Sequence, residues 1–383
     1  MKIHVVVPAL VASDPDVATL LRQRHDELAS RCADALPAGW TWTQPQHRGG
    51  LRYSVAQFAE ASLRESVLAT GVRGAGADAI SCRLDVMSIA TFRRTLTADM
   101  PLDYAEIGAV GDRVAHELGP DIKSVCDAVA AALEPVLAPD ESDGLTPGVA
   151  LWSHRVVELP GAPAAPTGGV PVEVLPGLWI ADGQTTVDPQ RVEVDQVLIA
   201  LDLATVHWLT IDSLNRKLFT RLSGLYDERS GSADTLEDAY LQAVEAAGSV
   251  TAVEMMLEDQ RQCLPTTART IYTAYAEQWN LGQLRAALTR RANDIVDHDA
   301  RRVEYLHAKQ AQLTSNLLLV LTLATLVPAV LAVLDFVTRS EPLDVHETVR
   351  IIAAGATGVF VLAVILAVRR LRPKLPKPAR TKE

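Results

Sequence analysis

Two apolar runs close together near the C-terminal end constrain this chain more than any other feature. The first covers 313–337 (LTSNLLLVLTLATLVPAVLAVLDFV) and the second 349–368 (VRIIAAGATGVFVLAVILAV). About 20 helical residues cross a hydrocarbon core of about 30 Å, so each run is long enough to span a bilayer. A helix apolar on every face is stable only inside a thick protein shell or in lipid. Both runs read as transmembrane helices, and the lipid bilayer is then the first expected partner.

Lysine and arginine set the orientation. Arg369, Arg370, Arg372, Lys374, Lys377, Arg380 and Lys382 follow the second run, whereas the segment between the runs offers Arg339 against Glu341, Asp344 and Glu347. Positive charge stays inside, so the tail is expected in the cytoplasm, and two spans return the N-terminal body to the same side. Residues 1–7 read as a short strand, not as the apolar core of a signal peptide. The expected location is the cell membrane, a bacterial inner membrane, as a multi-pass protein with both termini cytoplasmic. Cys32, Cys82, Cys126 and Cys263 are scattered without metal-ligand spacing, which fits a reducing compartment. Of the net charge of −11, residues 311–383 carry +4 and residues 1–310 carry −15. So acidic a body argues against nucleic acid as a partner and is compatible with divalent cations.

The expected fold class is an α/β cytoplasmic domain followed by a long stalk helix and two C-terminal transmembrane helices. The boundaries are 1–200 for the α/β domain and 201–312 for a helical region containing the stalk. The first span is 313–337, a short extracytoplasmic turn 338–348, the second span 349–368 and a basic cytoplasmic tail 369–383. Alternation and β-branching predict strands at 2–7, within 81–95, and at 149–159, 172–180 and 192–199. Helical patterns cover 14–36 and 104–137, with Gly119-Pro120 as a candidate interruption, and loops are expected at 44–50 and 70–78. Helices then follow over 201–226 and 235–263, and another opens at Pro265, where a missing donor costs little.

The stretch leading into the first span carries a seam. Leu281, Leu284, Leu288, Ala292, Ile295, Asp299, Val303, Leu306 and Gln310 follow one another at spacings of 3, 4 and 4. This eleven-residue repeat keeps one apolar face on a nearly straight helix. No breaker separates it from the span, so one continuous helix is predicted, with Asn280 and Gly282 marking its uncertain start. Its seam needs a partner, either the same chain's helices or a homo-oligomer. Inside the span, Ser315, Thr322, Thr325, Ala329 and Ala332 form a stripe of hydroxyls and small side chains. Such a stripe serves a pore wall or helix–helix packing. Asp335, near the outer end, is a functional candidate or a marker of the membrane interface.

Catalysis finds no support, and no enzyme is expected: no GxSxG, HExxH, P-loop or GxGxxG stands in a suitable context. His25, His116, His154 and His207 lack partners at ligand spacing and read as ordinary surface or core residues.

Asn316, Leu321-Thr322, Ala324-Thr325 and Pro328, together with the domain order, resemble the CorA-type magnesium transporter superfamily. The resemblance spans the architecture of the chain but only about fifteen residues of sequence. It implies a homo-oligomer, a pentamer, conducting Mg2+ or another divalent cation and gated by its cytoplasmic domain. Asn316, Thr322, Thr325, Ala329 and Asp335 would line the pore. The family's Gly-Met-Asn signature is absent, and Leu334-Asp335-Phe336-Val337-Thr338 stands in its place. Asp335 with Glu341, Asp344 and Glu347 would then form a substitute acidic outer mouth, since carboxylate rings select cations. Family-type divalent sensing on the stalk would use Asp294, Asp297 and Asp299, hard oxygen ligands suited to magnesium. The competing reading is a membrane-tethered sensor or effector whose CorA-like stem is an oligomerising anchor, and loss of the tripeptide favours it.

Overall fold

The central strand is β1 (Lys2–Leu10), a nearly continuous apolar run buried on both faces. The computed structural model describes residues 1–11, 30–31, 34–35, 37–43, 67–76, 79–85, 87, 89–99, 103–133, 148–161, 170–227, 233–338 and 355. The remaining strands are β2 (Trp40–Thr43), β3 (Val67–Arg73), β4 (Ile80–Asp85), β5 (Ile89–Thr97), β6 (His154–Glu158), β7 (Val172–Leu175), β8 (Leu178–Ala181) and β9 (Gln184–Val187). They form one sheet in the order β2-β3-β4-β5-β1-β6-β9-β8-β7, antiparallel except for the β6–β9 pair. Pro8 sits past the last β1–β6 pair, at Val6, where its missing donor breaks no ladder on that side.

Five helices of the described residues are named: α1 (Tyr104–Leu133), α2 (Val194–Asp227), α3 (Ala233–Gln262), α4 (Thr266–Gln278) and α5 (Leu281–Thr338). A reciprocal capping box starts α1: the Asp103 amide donates to Glu106 and the Glu106 amide to Asp103. The chain divides into one compact unit of residues 1–231 and 238–297 and another of 232–237 and 298–383.

The first unit is layered. Arg94 of β5 donates to Glu117 of α1, while its neighbour Arg93 donates to Asp202 of α2. Successive strand residues point to opposite faces, so α1 and α2 cover opposite sides of the sheet. β6 repeats the pattern: Arg155 lies against Gly108 and Gly111 of α1, and His154 meets the Tyr275 ring of α4 edge-on. The hydrophobic core fills both interlayers and continues through α3, α4 and the first turns of α5 to Ile295.

In the second unit, α5 continues to Thr338 without interruption and passes through Pro328. At 1.5 Å per residue its 58 residues make a helix about 87 Å long.

Several expected boundaries are corrected. Residues 192–199 are not a strand; α2 begins at Val194, because burial here recurs at helical spacing, with Val197, Leu198 and Leu201 inside and Glu193 and Asp195 exposed. The strand position is taken by β9, which buries the polar side chains of Gln184, Thr185 and Thr186. The segment 172–180 is a hairpin of β7 and β8, turned at Gly177 (φ 86°). Ala181 leads into a second tight turn through Asp182 and Gly183 (φ 68°), where a side chain at Gly183 would be strained. The stretch 70–78 is strand β3 as far as Arg73, since Gly71 admits the Trp42 ring across the β2–β3 pair. Residues 81–95 fall into β4 and β5, and the helix after Tyr104 runs unbroken through Pro120. That proline is exposed, and water can take the carbonyl it leaves free at His116. The expectations for 14–29, 44–50, Glu341, Asp344, Glu347 and the second span fall outside the described residues, except for Gly355.

Candidate functional sites on the stem helix and beneath the sheet

Among the described residues two helices are long and apolar enough to cross a membrane, α2 over Val194–Thr220 and α5 over Leu281–Val327. Their surroundings differ completely: 78% of the apolar window of α2 is buried, against 0% for α5. α2 is a core helix. α5 leaves Leu317, Leu318, Leu319, Val320, Leu321 and Val330 exposed around its whole circumference.

The seam along α5 follows the 3-4-4 spacing. Leu281, Leu288, Ala292, Ile295 and Asp299 are buried, Leu284, Val303 and Leu306 are half-buried, and Gln310 is exposed. Asn280, in a left-handed conformation (φ 53°), separates α4 from α5 and accepts the Gln283 and Leu284 amides.

Within the apolar stretch the threonine hydroxyls are already engaged. Thr322 donates to the Leu318 carbonyl at 2.6 Å, and Thr325 to Leu321 at 3.1 Å and Thr322 at 2.9 Å. Each hydroxyl has spent its proton, so its free lone pairs are what it offers to a neighbour. At 100° per residue, the backbone positions of Thr322, Thr325 and Ala329 share about 60° of arc, whereas Asn316 stands about 120° and Asp335 about 80° from the nearest of them. Asn316 and Thr325 are exposed and Thr322 half-buried; Ala329 and Asp335 lie on the helix.

On the stalk, Asp294 and Asp297 are exposed, while Asp299 is 1% exposed and lies 3.2 Å from the His298 ring nitrogen. Among the described residues, no group of three or more His, Cys, Asp or Glu side chains stands close enough to hold a metal ion.

A second constellation, which sequence reasoning did not assemble, lies between the sheet and α2. The pairings Arg83↔Thr91 and Ser81↔Arg93 put Arg83, Asp85, Thr91 and Arg93 on one face. Asp202 descends on them from α2 and takes the Arg93 guanidinium at 2.8 Å, while Arg83 stands 3.6 Å from Asp85. Asp85 Oδ1 accepts the Met87 amide, but Asp85 Oδ2 and Asp202 Oδ1 are buried without a hydrogen-bond partner among the described residues. Burial above all, with the Asp202 charge adding to it, raises the Asp85 carboxyl to about 6 against the pull of Arg83. One signal was legible: Asp202 is a lone carboxylate in the apolar run 197–211.

Two histidines serve the core as neutral polar links. His207 Nε2 donates to Gln260 Oε1 at 3.1 Å, which leaves Nδ1 to accept the Tyr272 hydroxyl at 2.7 Å. His154 meets Thr185 at 3.0 Å, and Thr185 meets the Tyr275 hydroxyl at 2.6 Å. Burial lowers both imidazoles to about 3. Neither is placed for proton transfer at neutral pH.

A groove of about 450 Å³ opens where α3, α4 and the start of α5 meet. Its charged lining residues, Glu258, Arg261, Glu277 and Arg285, balance in sign, and Glu258 is held by Arg261. It offers no net field for a charged ligand.

No family model, curated protein or solved structure matches this chain.

Proposed function

We propose that this protein is a CorA-like homo-oligomeric channel or transporter for divalent cations in the cell membrane, with α5 as its pore-lining helix and the sheet domain as its cytoplasmic gate. One observation carries the reading: an unburied apolar helix continuous with the core, whose threonine hydroxyls have given their protons to its own backbone. Magnesium gives up its water shell reluctantly, and that shell presents hydrogens outward. Lone pairs on Thr322 and Thr325 suit such a shell, and several copies of α5 would also cover its exposed leucines.

In this reading Asn316, Thr322, Thr325, Ala329 and Asp335 line the path in a pentamer. Glu341, Asp344 and Glu347 form the outer mouth, and Asp294, Asp297 and Asp299 bind Mg2+ on the cytoplasmic stalk. Both termini are cytoplasmic, and residues 349–368 provide the second span.

The replacement of Gly-Met-Asn by Leu334-Asp335-Phe336 favours a second reading, a membrane-tethered sensor or effector whose α5 bundle anchors and oligomerises without selective transport. Purified protein in liposomes loaded with a magnesium-sensitive dye separates the two. Channel activity gives magnesium entry that Asp335→Ala abolishes, with no leak of a neutral dye. No magnesium entry, or a leak of both, rejects the selective channel. Failure of the protein to float with liposomes rejects the membrane reading altogether.

A further inference from the structure

We propose that the buried ionic layer between the sheet and α2 is a proton-sensitive latch, in which ionisation of Asp85 loosens α2 and α2 passes the change to the start of α5. The proposal deepens the reading of α5 as a membrane-entering helix by naming a route of regulation from the cytoplasmic domain.

The geometry provides both ends of the latch. At one end Asp85 and Asp202 each bury a carboxylate oxygen that makes no hydrogen bond in the same layer, and the Asp202 charge disfavours ionisation of Asp85. When Asp85 is ionised, Asp202 Oδ1 has no donor, and Asp85 Oδ2 has only the Arg83 guanidinium at 3.6 Å, beyond hydrogen-bond distance. When it is protonated, it gains an O–H donor while Asp202 Oδ1 still needs one. Protonation therefore relieves like-charge repulsion and an unsatisfied acceptor together, each a cost against docking α2 on the sheet.

The groups facing this layer come from every element around it. Arg83 stands beside Asp85 on β4, and Arg93 reaches Asp202 from β5. β3 presents apolar Val67 opposite Asp85, and Tyr275 of α4 feels the Asp202 charge. On β1 and β6 the same face carries the ionisable pair His4 and Glu158, 2.6 Å apart.

At the other end, thirteen residues or about 20 Å along α2, Asn215 grips the first turns of α5. Its amide donates to the Leu284 carbonyl at 3.1 Å, and Arg291 donates to the Asn215 carbonyl and side-chain oxygens, both at 3.1 Å. Arg291 also lies over the Phe219 ring, 5.5 Å from its centre. A rigid helix clamped to the sheet at Asp202 and to α5 at Asn215 cannot shift at one end alone.

The size of the effect follows from linkage. A carboxyl at about 6 in the docked state and 3.8 when solvated makes undocking about tenfold less favourable at pH 5 than at pH 7.5. His154 and His207 oppose this with acid, but they do so equally in the wild type and in Asp85→Asn, which mimics the protonated carboxyl.

The test is hydrogen exchange on the full chain in lipid nanodiscs, read as the wild type to Asp85→Asn ratio of opening at amides of 198–215 and 284–291. The latch requires that ratio to fall about tenfold in both segments between pH 7.5 and pH 5. A ratio that does not change with pH overturns it, and a change confined to α2 overturns the transmission to α5. Should Asp85→Asn fail to fold, Asp202→Asn provides the second arm. Removing that charge must move the midpoint of the pH response to lower pH, and an unmoved midpoint overturns the proposal. Because the readout is protection and not flux, a protein that conducts nothing can still show the latch, and a channel without it is equally visible.

Discussion

Acid should unfold the first unit through its two buried histidines, and His207→Gln should halve the effect. His207 and His154 are held at about 3 in the folded chain against 6.5 for a solvated imidazole. A base whose folded value is depressed loses stability as pH falls, here from 6.5 down toward 3. At pH 4.5 each histidine sits two pH units below its unfolded value, which at 1.36 kcal/mol per unit costs about 2.7 kcal/mol. Together they cost roughly 5 kcal/mol, comparable with the whole margin of an average domain. Asp85 moves the other way, gaining stability as pH falls from about 6 toward 3.8, but one carboxyl offsets only about a third of what the two histidines lose, so the histidines prevail throughout the acid range. Glutamine at 207 can donate to Gln260 and accept from Tyr272 without titrating. Guanidinium unfolding of the full chain in detergent can be followed by the fluorescence of Trp208 and Trp279, which lie beside these networks. Trp208 packs edge-on against Trp152 at 5.1 Å, and Trp279 lies 6.0 Å from His154. Stability lost between pH 7.5 and 4.5 should be about 2.7 kcal/mol smaller in His207→Gln than in wild type. Equal losses in the two chains would refute the assignment of acid sensitivity to this imidazole.

Other substitutions probe the packing. Leu288→Ala, at a fully buried seam position, should cost about 2–5 kcal/mol in the same assay, whereas Leu317→Ala, 68% exposed, should cost well under about 1 kcal/mol in a monomeric micelle. Asp202→Ala should cost about 3–5 kcal/mol, because it strands the Arg93 guanidinium in a mostly buried layer. On α1, Gly108→Ala has room and should raise thermal stability by about 0.5–1 kcal/mol through helix propensity alone. Gly111→Ala drives a methyl into the Arg155 stem and should lower it by about 1–3 kcal/mol. A stabilising Gly111→Ala would show that Arg155 moves aside freely.

Much of the stem was legible in the chain. The 3-4-4 seam named Leu281, Leu288, Ala292 and Ile295, all of which are buried; between Asn280 and Gly282 as the start of α5 only the structure decided, for Asn280. Helical spacing fixes which residues share a face, and the absence of a breaker fixes continuity. The α2 start at Val194 was not legible, since β-branched apolar residues satisfy a strand or a buried helix equally well. Nor was β9, where the buried Thr185 hydroxyl meets His154 and the Tyr275 hydroxyl while β6 pairs with the backbone.

The sequence by itself determined how much apolar surface must leave water and at what period along the chain. Only the tertiary structure decided where that surface goes. α2 and α5 are alike in hydropathy, yet one is wrapped by a sheet and helices while the other buries none of its apolar stretch among the described residues. The same holds for charge: Arg93 and Asp202 stand 109 residues apart in the chain and share a hydrogen bond because the order β4-β5 and the descent of α2 bring them together. Hydropathy measures the cost of staying in water, a local quantity. Which partner relieves that cost depends on contacts between distant segments, and these exist only once the chain has folded.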